Sequence, residues 1–183
     1  MKAEIAEKLR SRSALLYFDA NAIRGINARN VSKFLDLCRD IKYLRDQNQP
    51  APSIKVLSVV YFELVHQLRR EIKPFDESRI TQSLQDLDVE VISLDTPAAS
   101  CCARHLYSWH PTKELWTDAK KSANNKATLD WLISTHAAET NHVLVSNDQG
   151  IEFERLTHAD QRVTSGEIRQ LIDDWLRNYP PAI

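Results

Sequence analysis

Ala14-Leu-Leu-Tyr-Phe-Asp19-Ala-Asn21 places an uninterrupted apolar run directly before an acid and an amide. Such a run suits a strand buried on both faces. A strand hidden on both sides needs helices on both sides, so the pattern outward from it decides the architecture. Val31 to Asp46 has a helical period, with Phe34, Leu35, Leu37, Cys38, Ile41 and Leu44 as its apolar members. Pro50-Ala-Pro52 ends it, and Ile54 to Leu57 then reads as a strand. Val59 to Ile72 is predicted helical with an apolar face of Val60, Leu64 and Leu68, and Asp76 to Leu87 is a further helix. Val89 to Leu94 reads as a strand. Helical stretches are expected near Ala98 to Tyr107, Thr112 to Lys121 and Thr128 to Glu139. Val143 to Val145 is a strand core, and a short strand is expected near Arg162-Val163. Thr164-Ser-Gly-Glu167 has capping-box spacing before a helix running to about Asn178. Strands alternating with helices give an α/β fold with a mostly parallel central sheet flanked by helices.

With 183 residues, 43% hydrophobic and 27% charged, the chain is expected to form one domain over 1–183. Residues 1–13 read as a short surface helix ahead of it, and 164–178 as its C-terminal helix. The longest strongly apolar stretch, Val56 to Phe62, stops at Glu63 and is too short to span a bilayer. No membrane partner is expected. Cys38, Cys101 and Cys102 lack metal-ligand spacing, which points to packed, reduced thiols in a cytoplasmic protein. Three glycines exclude a Walker loop and a dinucleotide fingerprint, each of which needs closely placed glycines. Any phosphate chemistry must proceed without a glycine-rich cradle.

Four acids stand out by position. Asp19 follows the first strand, and Asp148 follows the strand around Val145. Glu63 sits within Val59-Val-Tyr-Phe-Glu-Leu-Val65, and Asp130 within Thr128-Leu-Asp-Trp-Leu-Ile133. Acids beyond the carboxyl ends of neighbouring strands occupy the place where doubly wound sheets bind ligands. Taken singly, each also reads as a helix cap, a turn former or a first-turn acid. Taken together, carboxylates in one cleft repel unless a cation neutralises them, and an all-oxygen set suits Mg²⁺ or Mn²⁺ rather than Zn²⁺.

Leu16-Tyr-Phe-Asp19-Ala-Asn21-Ala-Ile23, Leu57-Ser-Val-Val-Tyr-Phe-Glu63-Leu, Leu129-Asp130-Trp-Leu-Ile-Ser-Thr-His-Ala137 and Leu144-Val-Ser146-Asn147-Asp148 resemble the four signature blocks of PIN-domain ribonucleases. The nearest group is the VapC-type toxins of bacterial toxin–antitoxin pairs, and the match runs from about Leu15 to Leu156. The resemblance implies a PIN-like three-layer fold in which Asp19, Glu63, Asp130 and Asp148 hold one or two Mg²⁺ or Mn²⁺ ions. It implies that Asn21 and Ser146 support this cluster. The implied reaction is cleavage of RNA by metal-activated water, leaving a 5′-phosphate and a 3′-hydroxyl. The implied partners are RNA, a cognate antitoxin and a second copy in a homodimer. The chain departs from the pattern after the fourth acid, where Phe153 stands five positions beyond Asp148. It also has Lys120-Lys-Ser-Ala-Asn-Asn-Lys126 where the family often has a glycine-containing segment.

Between Cys101 and Ala127 the basic residues Arg104, Lys113, Lys120, Lys121 and Lys126 are interleaved with Tyr107, Trp109, His110 and Trp116. Cations for phosphates beside rings for unpaired bases make this the expected RNA-contacting segment, chiefly Arg104, Trp109, Lys113, Trp116, Lys120, Lys121 and Lys126. The same pattern equally describes a solvated helix pair whose tryptophans pack on the sheet. His136 reads as a structural histidine with its hydrogen bonds satisfied. Two other functions stay open: a catalytically weak RNA-binding or protein-interaction module, and a housekeeping RNA-processing nuclease. An aspartate-nucleophile phosphatase is disfavoured, because the second acid it needs is replaced by Asn21.

Overall fold

The computed structural model describes residues 3–24, 31–109, 129–130, 132–148 and 161–179, less the side chains of 98, 102 and 105–109. In chain order these form α1 (Ala3–Leu9), β1 (Leu15–Phe18), α2 (Ala20–Arg24), α3 (Val31–Asp46), β2 (Ser53–Leu57) and α4 (Ser58–Glu71). There follow α5 (Glu77–Asp86), β3 (Val89–Ile92), α6 (Thr96–Trp109), a helix α7 over 132–140, β4 (Val143–Val145), β5 (Arg162–Val163) and α8 (Ser165–Asn178). Residues 129–130 are helical as well. The helix expected over Thr112 to Lys121 lies outside the described residues.

The five strands form one sheet in the order β3-β2-β1-β4-β5, and every pairing is parallel. Parallel neighbours need crossovers; α2 and α3 supply the one from β1 to β2, and α4 and α5 the one from β2 to β3. β1 is central, as its sequence demands: Leu16, Tyr17 and Phe18 are all buried. One face carries Phe18 against Phe34 of α3, rings edge-on at 5.0 Å. Tyr17 points the other way and meets the ring of His136 on α7 at 4.9 Å. The sheet is thus covered on both faces, and the α/β architecture expected from the alternation is the one observed.

The scarcity of glycine has a visible consequence at the helix ends. Asn48, Asp88 and Asn141 take φ of 59°, 55° and 53° just after α3, α5 and α7. Each lets the chain turn out of a helix toward the next strand in the left-handed conformation that glycine usually supplies. Asn and Asp tolerate it best among the other residues. The final helix starts with the expected capping box. Thr164 Oγ1 accepts from the Glu167 amide at 3.2 Å, and the Glu167 carboxylate accepts from the Thr164 amide at 2.8 Å.

The N-terminal helix is a correction. It was expected on the surface, yet Ile5 and Leu9 are 1% and 0% exposed and belong to the core. Spaced four apart, they make a narrow apolar stripe on an otherwise charged helix. Lys8 Nζ also donates to Asn141 Oδ1 at 2.9 Å, tying α1 to the turn before β4. Among the described residues no helix is long and apolar enough to cross a membrane.

Candidate functional site

The order of the strands reverses direction about β1. From there β2 and β3 follow on one side, and β4 and β5 on the other. At such a switch point the connections leave in opposite directions and open a crevice at the carboxyl ends of the strands. Asp19 directly follows β1, and its amide donates to the Val145 carbonyl at 3.0 Å, extending the β1–β4 ladder by one step. Asp148 stands three residues beyond β4. The two acids therefore share one crevice because their strands are neighbours.

Asp19 is 3% exposed. Its Oδ1 accepts from the Ala20 amide at 2.6 Å, at the start of α2. Its Oδ2 accepts from the Ser146 hydroxyl at 2.9 Å. Burial, above all, pushes the Asp19 carboxyl up to about 7; the Ser146 and Ala20 donors oppose the rise, while the charges of Glu63 and Asp148 add to it. Glu63 of α4 and Asp148 thus stand near enough for their charges to act on Asp19. Asp130 is half-buried in the helical stretch next to α7, where its carbonyl accepts from Ser134 Oγ at 2.6 Å. Among the described residues, no three His, Cys, Asp or Glu side chains converge tightly enough to grip an ion together.

Ser146 and Asn21, the two polar residues expected beside the acids, hydrogen-bond to Asp19 and Asp148. Ser146 has one proton, given to Asp19, and its oxygen accepts from the Asp148 amide at 3.1 Å. One hydroxyl thus bridges the two acids. Asn21 Nδ2 donates to Asp148 Oδ2 at 3.3 Å, and Asn21 Oδ1 accepts from the Asn147 amide at 2.9 Å. Asn147, absent from the expected set, uses its own Oδ1 to accept from the Ser165 amide and hydroxyl at 3.0 and 2.9 Å. It thereby fixes the start of α8 to the loop that carries Asp148.

Glu63 is held by residues that sequence reasoning did not single out. Gln67, one turn along α4, donates to Glu63 Oε1 at 2.7 Å. The Gln67 carbonyl oxygen accepts from Arg24, whose guanidinium also pairs with Glu71 at 2.6 Å. Arg24 closes α2, the helix that begins directly after Asp19. The chain Arg24–Gln67–Glu63 therefore links the two acids from behind, through α2 and α4. The four-residue spacing of Glu63 and Gln67 was a readable signal. If Glu63 holds a cation, Gln67→Leu is expected to lower Mn²⁺ affinity about tenfold in calorimetry without changing the melting temperature appreciably, as loss of a group orienting a ligand typically does.

Of the expected RNA-contacting residues, Arg104 is exposed on α6. The Trp109 side chain, Lys113, Trp116, Lys120, Lys121 and Lys126 lie outside the described residues. His136 is buried, as expected of a structural histidine, but it is not satisfied: Nδ1 has no hydrogen-bond partner among the described residues. Its Nε2 stands 3.8 Å from Asp95, and burial holds its pKa below the usual histidine value. Cys38 and Cys101 are free and buried, and the Cys101 thiol donates to Glu139 at 2.9 Å.

No family model and no curated relative matches the chain. Among solved structures, the crystal structure of VapBC2 from Rickettsia felis bound to a DNA fragment from its promoter is similar. The identity is 19% and the TM-score 0.46, over 82% of this chain and 98% of that one. The functional reading accordingly rests on the side chains of the crevice.

Proposed function

We propose that the chain is a metal-dependent endoribonuclease of PIN type, acting as the toxin of a toxin–antitoxin pair. The observation that carries this reading is Asp19: a buried carboxyl at the switch point, raised by its burial and by the charges of Glu63 and Asp148. Such a group is costly to ionise in the bare protein. A hard cation removes that cost, and the all-oxygen donor set of Asp19, Glu63, Asp148 and, by resemblance, Asp130 suits Mg²⁺ or Mn²⁺. When bound, the ion supplies positive charge that polarises a phosphodiester and lowers the pKa of an attacking water.

The chain's own residues do the positioning. Ser146 and the Ala20 amide each occupy one Asp19 oxygen and hold its carboxyl in one orientation. Asn21 restrains Asp148, and Gln67 restrains Glu63. Fixing the acids in advance lowers the reorganisation needed as charge develops on the phosphate.

A second reading, an RNA-binding module without turnover, is favoured by one observation: no three acids converge tightly among the described residues. Induced expression of wild type and Asp19→Asn in a bacterial host separates the two. Wild type is expected to arrest growth and to generate new 5′-phosphate RNA ends, and Asp19→Asn to do neither. Equal growth of both strains with no new ends overturns the toxin reading.

A further inference from the structure

α4 carries a surface feature that the carboxylate site does not use. Its buried stripe is Val60, Leu64 and Leu68. On the opposite side Phe62, His66, Arg69 and Arg70 recur at helical spacing, and all four are exposed. Phe62, at 67%, is the most exposed of the large apolar residues described. Its ring lies nearly parallel to that of His66, at 19° and 6.1 Å between centroids. Arg69 stands 3.7 Å from Glu77, an exposed pair that a phosphate displaces at little cost. Arg70 makes no ion pair among the described residues. At 3.6 residues per turn, Glu63 and Gln67 fall on the seam between the two stripes, so the exposed one borders the acid directly.

We propose that this stripe is the track on which single-stranded RNA approaches Glu63. This rests on the ribonuclease reading and adds a substrate-binding surface to it. Phe62 and His66 offer ring faces for unpaired bases, and Arg69 and Arg70 offer charge for the phosphates that follow, over about 12 Å of helix. Charge selects this occupant over a second copy of the chain, since self-association through the stripe brings two pairs of arginines against each other. Rings interleaved with guanidinium groups match a polyanion with exposed bases.

The test measures binding without turnover, so it stands apart from the test of catalysis. A fluorescein-labelled single-stranded RNA of mixed sequence is titrated in EDTA with wild type, Phe62→Ala, Arg70→Glu and, as a control on α3, Lys33→Glu. Phe62→Ala is expected to weaken binding about tenfold. Arg70→Glu is expected to weaken it similarly and to flatten the dependence of log K on log salt by about one to two, while Lys33→Glu changes neither. A duplex of the same sequence should compete poorly. Circular dichroism melts check that each variant folds. Affinities within about twofold of wild type for both stripe variants overturn the proposal, as does the absence of RNA binding by wild type. A sedimentation shift in Phe62→Ala with RNA affinity unchanged also overturns it, and assigns the stripe to contact between copies.

Discussion

At pH 8 the metal-free Asp19→Asn protein unfolds about 5–10 °C above metal-free wild type. The expectation follows from the raised carboxyl. Asp19 ionises near 3.8 in an unfolded chain and at about 7 in the fold. Between those values the unfolded chain gives up a proton that the folded chain keeps. Stability therefore falls as pH rises through this window, and the loss is complete above it. At 1.36 kcal/mol per unit the span corresponds to about 4 kcal/mol. Asparagine is neutral throughout and escapes the loss, although its amide nitrogen must find an acceptor, which trims the gain. Well below pH 4 both chains carry a neutral side chain in both states, so the gain disappears and only the amide's cost remains. Melting curves from pH 4 to pH 8 check this; a constant difference across the range contradicts it.

With the proposed cation bound, that gap is expected to close. At saturating concentration and pH 8, wild type is expected to gain about 3 kcal/mol, the mass-action stabilisation from a ligand present at a hundred times its dissociation constant. Asp19→Asn is expected to gain little, because the proposed site would lose the carboxylate that ionises on binding. At pH 5, where the folded carboxyl is protonated, the wild-type gain should shrink as protons compete with the cation. Thermal melts with and without Mn²⁺ at the two pH values provide the comparison. A gain in Asp19→Asn as large as in wild type places the cation elsewhere.

β1 and β4 were legible because each is a short apolar run closed by polar residues, the mark of a strand buried on both faces of a parallel sheet. The strand core at Val143 to Val145 and the short strand expected near Arg162-Val163 are both observed. The five residues of α2 are too few to show a helical period, so Ala20–Arg24 went unread. The burial of α1 was hidden by composition, because two apolar residues in a charged segment suffice to dock so short a helix. Asp19, Glu63 and Asp148 could be named from their places relative to strands and apolar neighbours. Arg24 and Gln67 could not be paired, since 43 residues separate them and only the packing of α2 against α4 brings them together. Asn147 was masked by its neighbour Asp148: its partner Ser165 is 18 residues away, across β5.

The most direct test of the carboxylate crevice as a nuclease site is a cleavage assay with purified protein and a defined single-stranded RNA, with both product ends mapped. Wild type in Mg²⁺ or Mn²⁺ is expected to give 5′-phosphate and 3′-hydroxyl ends. Excess EDTA is expected to abolish the cutting, and Asp19→Asn to lower its rate by about three orders of magnitude or more. Cleavage that survives in EDTA or in Asp19→Asn, or wild type that cuts with neither ion, contradicts the assignment.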